Sequence, residues 1–212
     1  MEAFRLAQKL GASGLETDAW ITRDGVIVLD HDGVVGSRLR RRAINTVDSG
    51  ELPAHIPTLG QLLDFASSHD LAVSIDVKDP TAFSTVRDTV LGRSAAEVRR
   101  TYLCFDDFDV LRDIAADAHS VQLVDSSRLH HIKEGAERRI ATLAALGVTG
   151  LNMHQSDWNG GLVTLAHRFE RLAFAWDAQF EPVLVGLLRM GIDAVYSDWV
   201  DRMVDAARTT AR

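Results

Sequence analysis

The 212-residue sequence has little cysteine and a deficit of positive charge. Cys104 is the single cysteine, so no internal disulfide can form; this favours a reducing compartment and makes a cytoplasmic location the default expectation. Lysine and arginine number 23 against 30 aspartate and glutamate residues, which gives a formal net charge of -7. Because nucleic-acid binding needs a basic face to neutralise phosphates, this balance argues against a nucleic-acid partner.

Long apolar runs and flexible linkers are also missing. No apolar run approaches the roughly 18 residues of a membrane span, so stable membrane insertion is not expected. The first residues form a charged amphipathic stretch rather than a signal peptide, although a signal peptide could precede Met1 in a longer chain. No stretch rich in proline, glycine or serine marks a domain boundary, and 46% hydrophobic residues can build a full core. We therefore expect one domain over residues 1–212; the sequence carries no signal for the oligomeric state.

Strand-like and helix-like patterns alternate along the chain. Apolar runs with β-branched residues are each followed by an amphipathic stretch, and this alternation predicts an α/β fold with a parallel sheet. Gly11, Gly147 and Gly191 lie where a helix must end before the next strand. The predicted strands are Gly14–Ala19, Ala72–Val77, Thr101–Phe105, Ser120–Val124, Gly150–Met153, Leu172–Trp176 and Ala194–Ser197.

The segment after the first predicted strand departs from this alternation. Thr22-Arg23-Asp24-Gly25 separates two apolar stretches, which is typical of a hairpin turn. Residues 33–57 lack clear periodicity and contain Arg38 and three consecutive arginines at 40–42, so we interpret them as an excursion above the sheet. Thr58 then lies where it would cap the next helix.

Two architectures fit this pattern, an open doubly wound sheet and a closed barrel of eight β/α units. No Gly-x-Gly-x-x-Gly sequence follows a strand, which argues against a dinucleotide-binding open sheet. The chain begins on a predicted helix, Glu2–Leu10, with no strand before it, and seven predicted strands follow. A barrel of this kind usually has about 250 residues, so a barrel here would be short by roughly one unit.

Four charged residues recur at a spacing of two in the first two parallel strands. Glu16 and Asp18 leave the same face of one strand, and Asp76 and Lys78 leave one face of the next. Carboxylates on one face repel each other unless a cation or proton intervenes. If the strand ends meet in a barrel, the three acids would offer oxygen ligands to Mg²⁺ or Ca²⁺, with a lysine beside them. The alternatives are a solvated pair of acids and an ordinary ion pair at the strand mouth.

Histidines at strand ends are the candidates for proton transfer. His31 follows the strand that returns from the hairpin, and its imidazole can act as a general acid or base near neutral pH. The hairpin would place it near the carboxylates, although a lone histidine is more often a solvated loop residue. His154 ends a later strand and could line a site or play a structural part. His130 and His131 have no acid or cysteine at ligand spacing, so we expect them to be solvated.

Taken together, these residues resemble the glycerophosphodiester phosphodiesterases. The likeness implies a TIM (β/α)₈-type barrel that uses one divalent cation, Mg²⁺ or Ca²⁺, to hydrolyse small glycerophosphodiesters to glycerol 3-phosphate and an alcohol. It covers essentially the whole chain, and its early motifs are specific because they agree in order and spacing. The early motifs are Leu15–Asp18, Thr22–Val28, His31–Asp32, Ile56–Leu59 and Asp76–Lys78, and the weaker later ones are Cys104–Asp106, Phe174–Trp176 and Gly191–Asp198.

The resemblance also implies a metal site. Glu16, Asp18 and Asp76 match the ligand positions of the family. Asp76 stands where the family commonly has glutamate, so this carboxylate reaches about one methylene less far and the cation would shift or recruit water. The resulting set of one glutamate and two aspartates also resembles the sphingomyelinase D barrels, which leaves a phospholipase of that kind as an alternative function.

Further roles follow from the same resemblance. His31 matches one of the two acid/base histidines, Lys78 matches a phosphate contact that assists catalysis, and Trp176 matches an aromatic at the mouth of the site. His154 is a further candidate for contact with the substrate. The opening motif of the family, a strand ending in His-Arg-Gly, is absent, so we expect a barrel that lacks its first strand and has impaired activity. An inactive barrel that binds a cation or a phosphate ligand is the remaining alternative.

Overall fold

The computed structural model describes residues 1–36, 40–116 and 120–210. The chain forms two compact units, which are described separately. The first comprises Met1–Gln8 and Ser13–Leu103, and the second comprises Lys9–Ala12 and Cys104–Arg212. Arg38, which belongs to the predicted excursion, lies outside the described residues. The expectation of one domain over residues 1–212 stays a prediction.

The first unit contains a sheet with strands in the order β2, β1, β5, β6. Strands β1 and β5 run parallel, whereas β1 and β2 form the predicted antiparallel hairpin. The strands are β1 (Gly14–Ile21), β2 (Ile27–Leu29), β3 (Val34–Val35), β4 (Arg42–Ala43), β5 (Ala72–Val77) and β6 (Thr101–Phe105), and the helices are α1 (Glu2–Leu10), α2 (Leu59–Ser68), α3 (Phe83–Leu91) and α4 (Ala95–Val98). Helix α1 and strand β6 each extend past the division between the units.

The excursion after the hairpin is more regular than the sequence indicates. Strands β3 and β4 pair antiparallel, and two short 3₁₀ helices follow them. Val28, Val35, Ile44 and Val47 form a buried hydrophobic cluster under this segment. Strands of two residues are too short to produce a readable alternation, which is why the sequence predicts no elements here.

The second unit repeats strand and helix. Its strands lie in the order β7, β8, β9, β10, and all their pairings are parallel. Among the described helices, none has both the length and the apolar composition that a membrane span needs. The strands are β7 (Gln122–Ser127), β8 (Gly150–His154), β9 (Leu172–Trp176) and β10 (Ala194–Val195), and the helices are α5 (Phe108–Ala115), α6 (Ala136–Ala145), α7 (Gly160–Arg168), α8 (Glu181–Met190) and α9 (Val200–Thr210).

Strands and helix ends lie largely where the sequence predicts them. Gly11, Gly147 and Gly191 have the left-handed backbone expected at helix ends, with φ values of +98°, +72° and +96°. Four of the seven predicted strands have other bounds in the structure: β1 continues to Ile21, β8 continues to His154, and β7 and β10 differ as follows. Strand β7 begins later and ends later than predicted, because its pairing with β8 continues to Ser127. Strand β10 is shorter than predicted, because its pairing with β9 stops at Val195.

Thr58 caps helix α2, as the sequence predicts. Its hydroxyl oxygen accepts a hydrogen bond from the Gln61 amide at 3.2 Å, and the Gln61 side-chain oxygen accepts one from the Thr58 amide at 3.0 Å. This reciprocal pair satisfies two amide groups that a helix start leaves without partners. It fixes where the chain leaves the excursion and enters the helix that precedes β5.

We expect Thr58→Ala to lower the free energy of unfolding by about 1 kcal/mol, because the cap hydrogen bond to the Gln61 amide is lost. Urea denaturation monitored by circular dichroism measures the change. Thr58→Ser is the matched control, since it keeps the hydroxyl and should remain close to the wild type. An equal loss in both variants would show that the methyl group, and not the cap, is what matters.

Candidate active site

Three carboxylates and one ammonium converge on one face of the sheet in the first unit. Asp18 on β1 lies directly opposite Asp76 on β5 in the parallel register. Glu16 precedes Asp18 by two residues, and Lys78 follows Asp76 by two, so all four side chains leave the same face. The predicted convergence of these strands therefore brings together the residues that the sequence singles out.

The distances suit a single cation. One carboxylate oxygen from each of Glu16, Asp18 and Asp76 lies within 4.8 Å of the other two. Two oxygens bound to the same Ca²⁺ at about 2.3–2.6 Å are at most about 5 Å apart, so this spacing matches the reach of one ion. Carboxylate oxygens are also the ligands that hard divalent cations prefer. The donor set therefore fits the metal that the sequence predicts.

The charges of this cluster oppose each other's ionisation. The pKa of Glu16 is raised to about 7, first by desolvation and then by the negative charges of Asp76 and Asp18. Glu16 keeps an exposed surface, but nearby protein atoms displace enough water to disfavour its charged form. The pKa of Asp18 is also raised, because partial burial outweighs the favourable effect of Lys78. Without a cation, the cluster thus holds a proton into the neutral range.

Lys78 bridges the two opposing aspartates. Its Nζ lies 3.1 Å from Asp18 Oδ1 and 2.9 Å from Asp76 Oδ2. Partial burial disfavours the ammonium, but the charges and hydrogen bonds of Asp76 and Asp18 outweigh this effect and raise the pKa of Lys78. The ammonium therefore stays protonated throughout the neutral range.

His31 lies just beyond strand β2 in the same unit. Its side chain is 92% exposed, and its Nδ1 lies 2.9 Å from Asp32 Oδ1. The hydrogen bond to Asp32 and the charge of Asp18 raise the pKa of His31. A raised pKa and a carboxylate partner at Nδ1 suit an imidazolium that can give up a proton from Nε2.

His154 and Trp176 lie side by side in the second unit. They are register partners on β8 and β9, and their rings meet edge to face with centroids 4.7 Å apart. His154 Nε2 lies 3.1 Å from Asp177 Oδ2, and the Arg128 guanidinium lies 5.6 Å from the Trp176 ring centroid. Asp157 holds that guanidinium, with Arg128 Nε donating at 2.7 Å. Both residues thus belong to a polar and aromatic cluster at the ends of parallel strands.

Sequence reasoning missed several of these partners. Asp32 belongs to the His31–Asp32 motif, but the sequence analysis did not predict its contact with His31 Nδ1. Arg128 and Asp177 could not have been found, because they meet Trp176 and His154 only through tertiary structure. His130 and His131 are exposed, as expected.

Comparison with known proteins places this chain among phosphodiesterases. The model of the glycerophosphoryl diester phosphodiesterase family matches residues 1–202. No curated protein sequence matches the chain.

Solved structures of such proteins have the same fold. The glycerophosphodiester phosphodiesterase of Thermotoga maritima is 20% identical with a TM-score of 0.80, over 96% of this chain and 89% of that one. One from Parabacteroides distasonis is 19% identical with a TM-score of 0.78, over 99% and 89%. A phosphodiesterase of Oleispira antarctica, solved with the product sn-glycerol-3-phosphate, is 19% identical with a TM-score of 0.74, over 96% and 88%. The likeness confirms the expected α/β fold of the TIM-barrel type.

The raised pKa of Glu16 predicts how stability depends on pH when no metal is bound. The folded-state pKa of about 7 exceeds the usual 4.5, so between these pH values the folded state binds more protons than the unfolded state. Stability should therefore fall as pH rises through this window. Glu16→Gln cannot ionise, so we expect its stability relative to the wild type to increase from pH 5 to pH 8 in the presence of chelator.

Urea denaturation at the two pH values provides the measurement. Glu170→Gln, at an exposed site, is the control and should show no comparable change. If Glu16→Gln and the wild type had parallel pH profiles, the raised pKa of Glu16 would be disproved.

Proposed function

This chain belongs to the glycerophosphoryl diester phosphodiesterase family, and we propose that it hydrolyses glycerophosphodiesters to glycerol 3-phosphate and an alcohol with a divalent cation. Its family makes it a phosphoric diester hydrolase. The convergence of three carboxylates and a lysine in the first unit carries the proposal. The product bound to the Oleispira antarctica phosphodiesterase supports the same substrate class.

Glu16, Asp18 and Asp76 are the residues that would hold the cation, either Mg²⁺ or Ca²⁺. When bound, such an ion polarises a phosphoryl oxygen and offsets the negative charge that develops on it during hydrolysis. Desolvation, and then the negative charges of Asp76 and Asp18, raise the pKa of Glu16, so a dication would relieve an unfavourable charge arrangement.

Lys78 is the residue that we assign to the phosphate. Its ammonium already lies between two carboxylates and stays charged at neutral pH because its pKa is raised. The carboxylates of the site repel the negatively charged phosphodiester. A fixed positive charge beside the reacting phosphate reduces this electrostatic repulsion. Lys78 thus balances the aspartates and neutralises the substrate.

His31 is the residue that we assign to proton transfer. Asp32 holds Nδ1, and the raised pKa keeps the imidazole protonated to a higher pH than usual. It is therefore suited to donate the Nε2 proton to the alcohol oxygen as the bond to phosphorus breaks. Its exposed position allows it to meet a substrate arriving from solvent.

Trp176 and His154, in the second unit, stay our candidates for contact with the substrate, as the resemblance to the family implies. The partly exposed indole offers an apolar face, and the neighbouring imidazole offers a polar edge. These two side chains can contact a ligand group that has both an apolar part and a polar hydroxyl or amine.

We expect Glu16→Ala and Asp76→Ala each to reduce hydrolysis to background, because each removes one of three oxygen ligands. Release of glycerol 3-phosphate from glycerophosphocholine is measured with Mg²⁺, with Ca²⁺ and with chelator, which should abolish the wild-type reaction. Glu170→Ala, at an exposed position, is the control for the loss of an acid elsewhere. Undiminished activity in either site variant would disprove the proposed site.

The same assay separates the alternative functions. Release of choline from intact sphingomyelin, with none of the expected product from glycerophosphocholine, would identify a sphingomyelinase-D-like phospholipase. Binding of the cation in a calorimetric titration, with no product from either substrate, would identify a non-catalytic barrel.

A further inference from the structure

Asp30 links strand β1 to the loop that carries His31. Its amide donates a hydrogen bond to the Asp18 carbonyl at 3.2 Å, and its carbonyl accepts one from Trp20 Nε1 at 2.8 Å. Its carboxylate Oδ2 accepts the amides of Asp32 at 3.1 Å and Gly33 at 2.9 Å. Asp30 is thus hydrogen-bonded through its backbone to strand β1, which carries Glu16 and Asp18. Through its carboxylate it is hydrogen-bonded to the two residues that follow His31.

The same loop is fixed at its far end by Gly33. This residue has a φ of +66°, which favours glycine, and a Cβ there would lie 2.5 Å from the Trp20 ring. The Gly33 carbonyl also accepts a hydrogen bond from the Ile44 amide at 3.0 Å. The backbone is therefore held on both sides of His31.

The His31 side chain itself lacks comparable support. It is 92% exposed, and its Nδ1 is hydrogen-bonded to Asp32, which belongs to the same loop. For such an exposed side chain, the backbone sets where the side chain begins and how far it can reach. The placement of His31 and of its partner Asp32 thus depends on the turn that the Asp30 carboxylate holds.

We propose that Asp30 is a positioning residue for the hydrolytic reaction, because its carboxylate accepts two backbone amides and so holds the turn that carries the His31–Asp32 pair. This inference rests on the proposed role of His31. A carboxylate accepting two amides makes stronger hydrogen bonds than a neutral acceptor, and together they close a tight turn. Alanine at position 30 would leave both amides to water and release the loop, whereas asparagine keeps an oxygen acceptor.

Three variants test the proposal in the full chain. Asp30→Ala should lower kcat for glycerophosphocholine by about 10- to 100-fold with little change in KM, because a small displacement of the proton donor costs rate rather than binding. Asp30→Asn should recover most of the loss. Asp193→Ala is the control: it removes a carboxylate that accepts the Ala173 amide at 2.8 Å in a helix-to-strand turn, and it should leave kcat unchanged.

A second measurement reports on the loop without activity. Amide hydrogen exchange at Asp32 and Gly33, followed by NMR, should accelerate in Asp30→Ala and stay near the wild-type rate in Asp30→Asn. Assays are run at a temperature where circular dichroism shows every variant folded, so that general unfolding does not imitate loss of positioning.

Two results would overturn the proposal. Wild-type kcat in Asp30→Ala would show that the loop needs no such support. A loss in Asp30→Asn equal to that in Asp30→Ala, with normal exchange in the asparagine variant, would show that charge and not hydrogen bonding is what Asp30 supplies. Failure of the proposed role of His31 gives a different result, because His31→Ala would then have the same turnover as the wild type. The amide exchange rates would still report whether Asp30 holds the loop.

Discussion

The opposition of Asp18 and Asp76 across two parallel strands is the constraint on which the rest of the site depends. Their register puts two like charges face to face, an arrangement that is destabilising unless a positive charge joins them. Lys78 supplies that charge by bridging both carboxylates. Glu16 adds a third acid to the same face, beyond what one ammonium can balance, and its pKa rises to about 7 as a result of desolvation and of these neighbours.

This unbalanced charge connects stability to function. A cluster of three acids and one base has a net negative charge when ionised, so it takes up either a proton or a cation. Holding a proton at neutral pH costs free energy, because a carboxylate is normally ionised there. Binding a cation instead creates a centre that can receive a phosphodiester. Sites that tolerate such local cost are common where a protein performs chemistry. The loop of His31 adds to the arrangement, since Asp30 binds it to the Asp18 carbonyl on the same strand.

Much of this could be predicted from the sequence, because the relevant signals are local. A spacing of two residues in a strand fixes which side chains share a face, and it identified Glu16 with Asp18 and Asp76 with Lys78. Apolar runs with β-branched residues indicate most of the strands, and Thr58 marks a helix start. The contacts that depend on tertiary structure were not predictable: the register that sets Asp18 against Asp76, and the meeting of Arg128 with Trp176. Strands β3 and β4 were missed because two residues give no pattern.

The position of a bound divalent ion would show whether Glu16, Asp18 and Asp76 form a metal site. Crystals grown with Mn²⁺ allow the ion to be located from its anomalous scattering. We expect one strong peak within about 2.0–2.6 Å of an oxygen from each of Glu16, Asp18 and Asp76. A peak elsewhere, or no peak with the Lys78 ammonium still bridging Asp18 and Asp76 at saturating Mn²⁺, would contradict it.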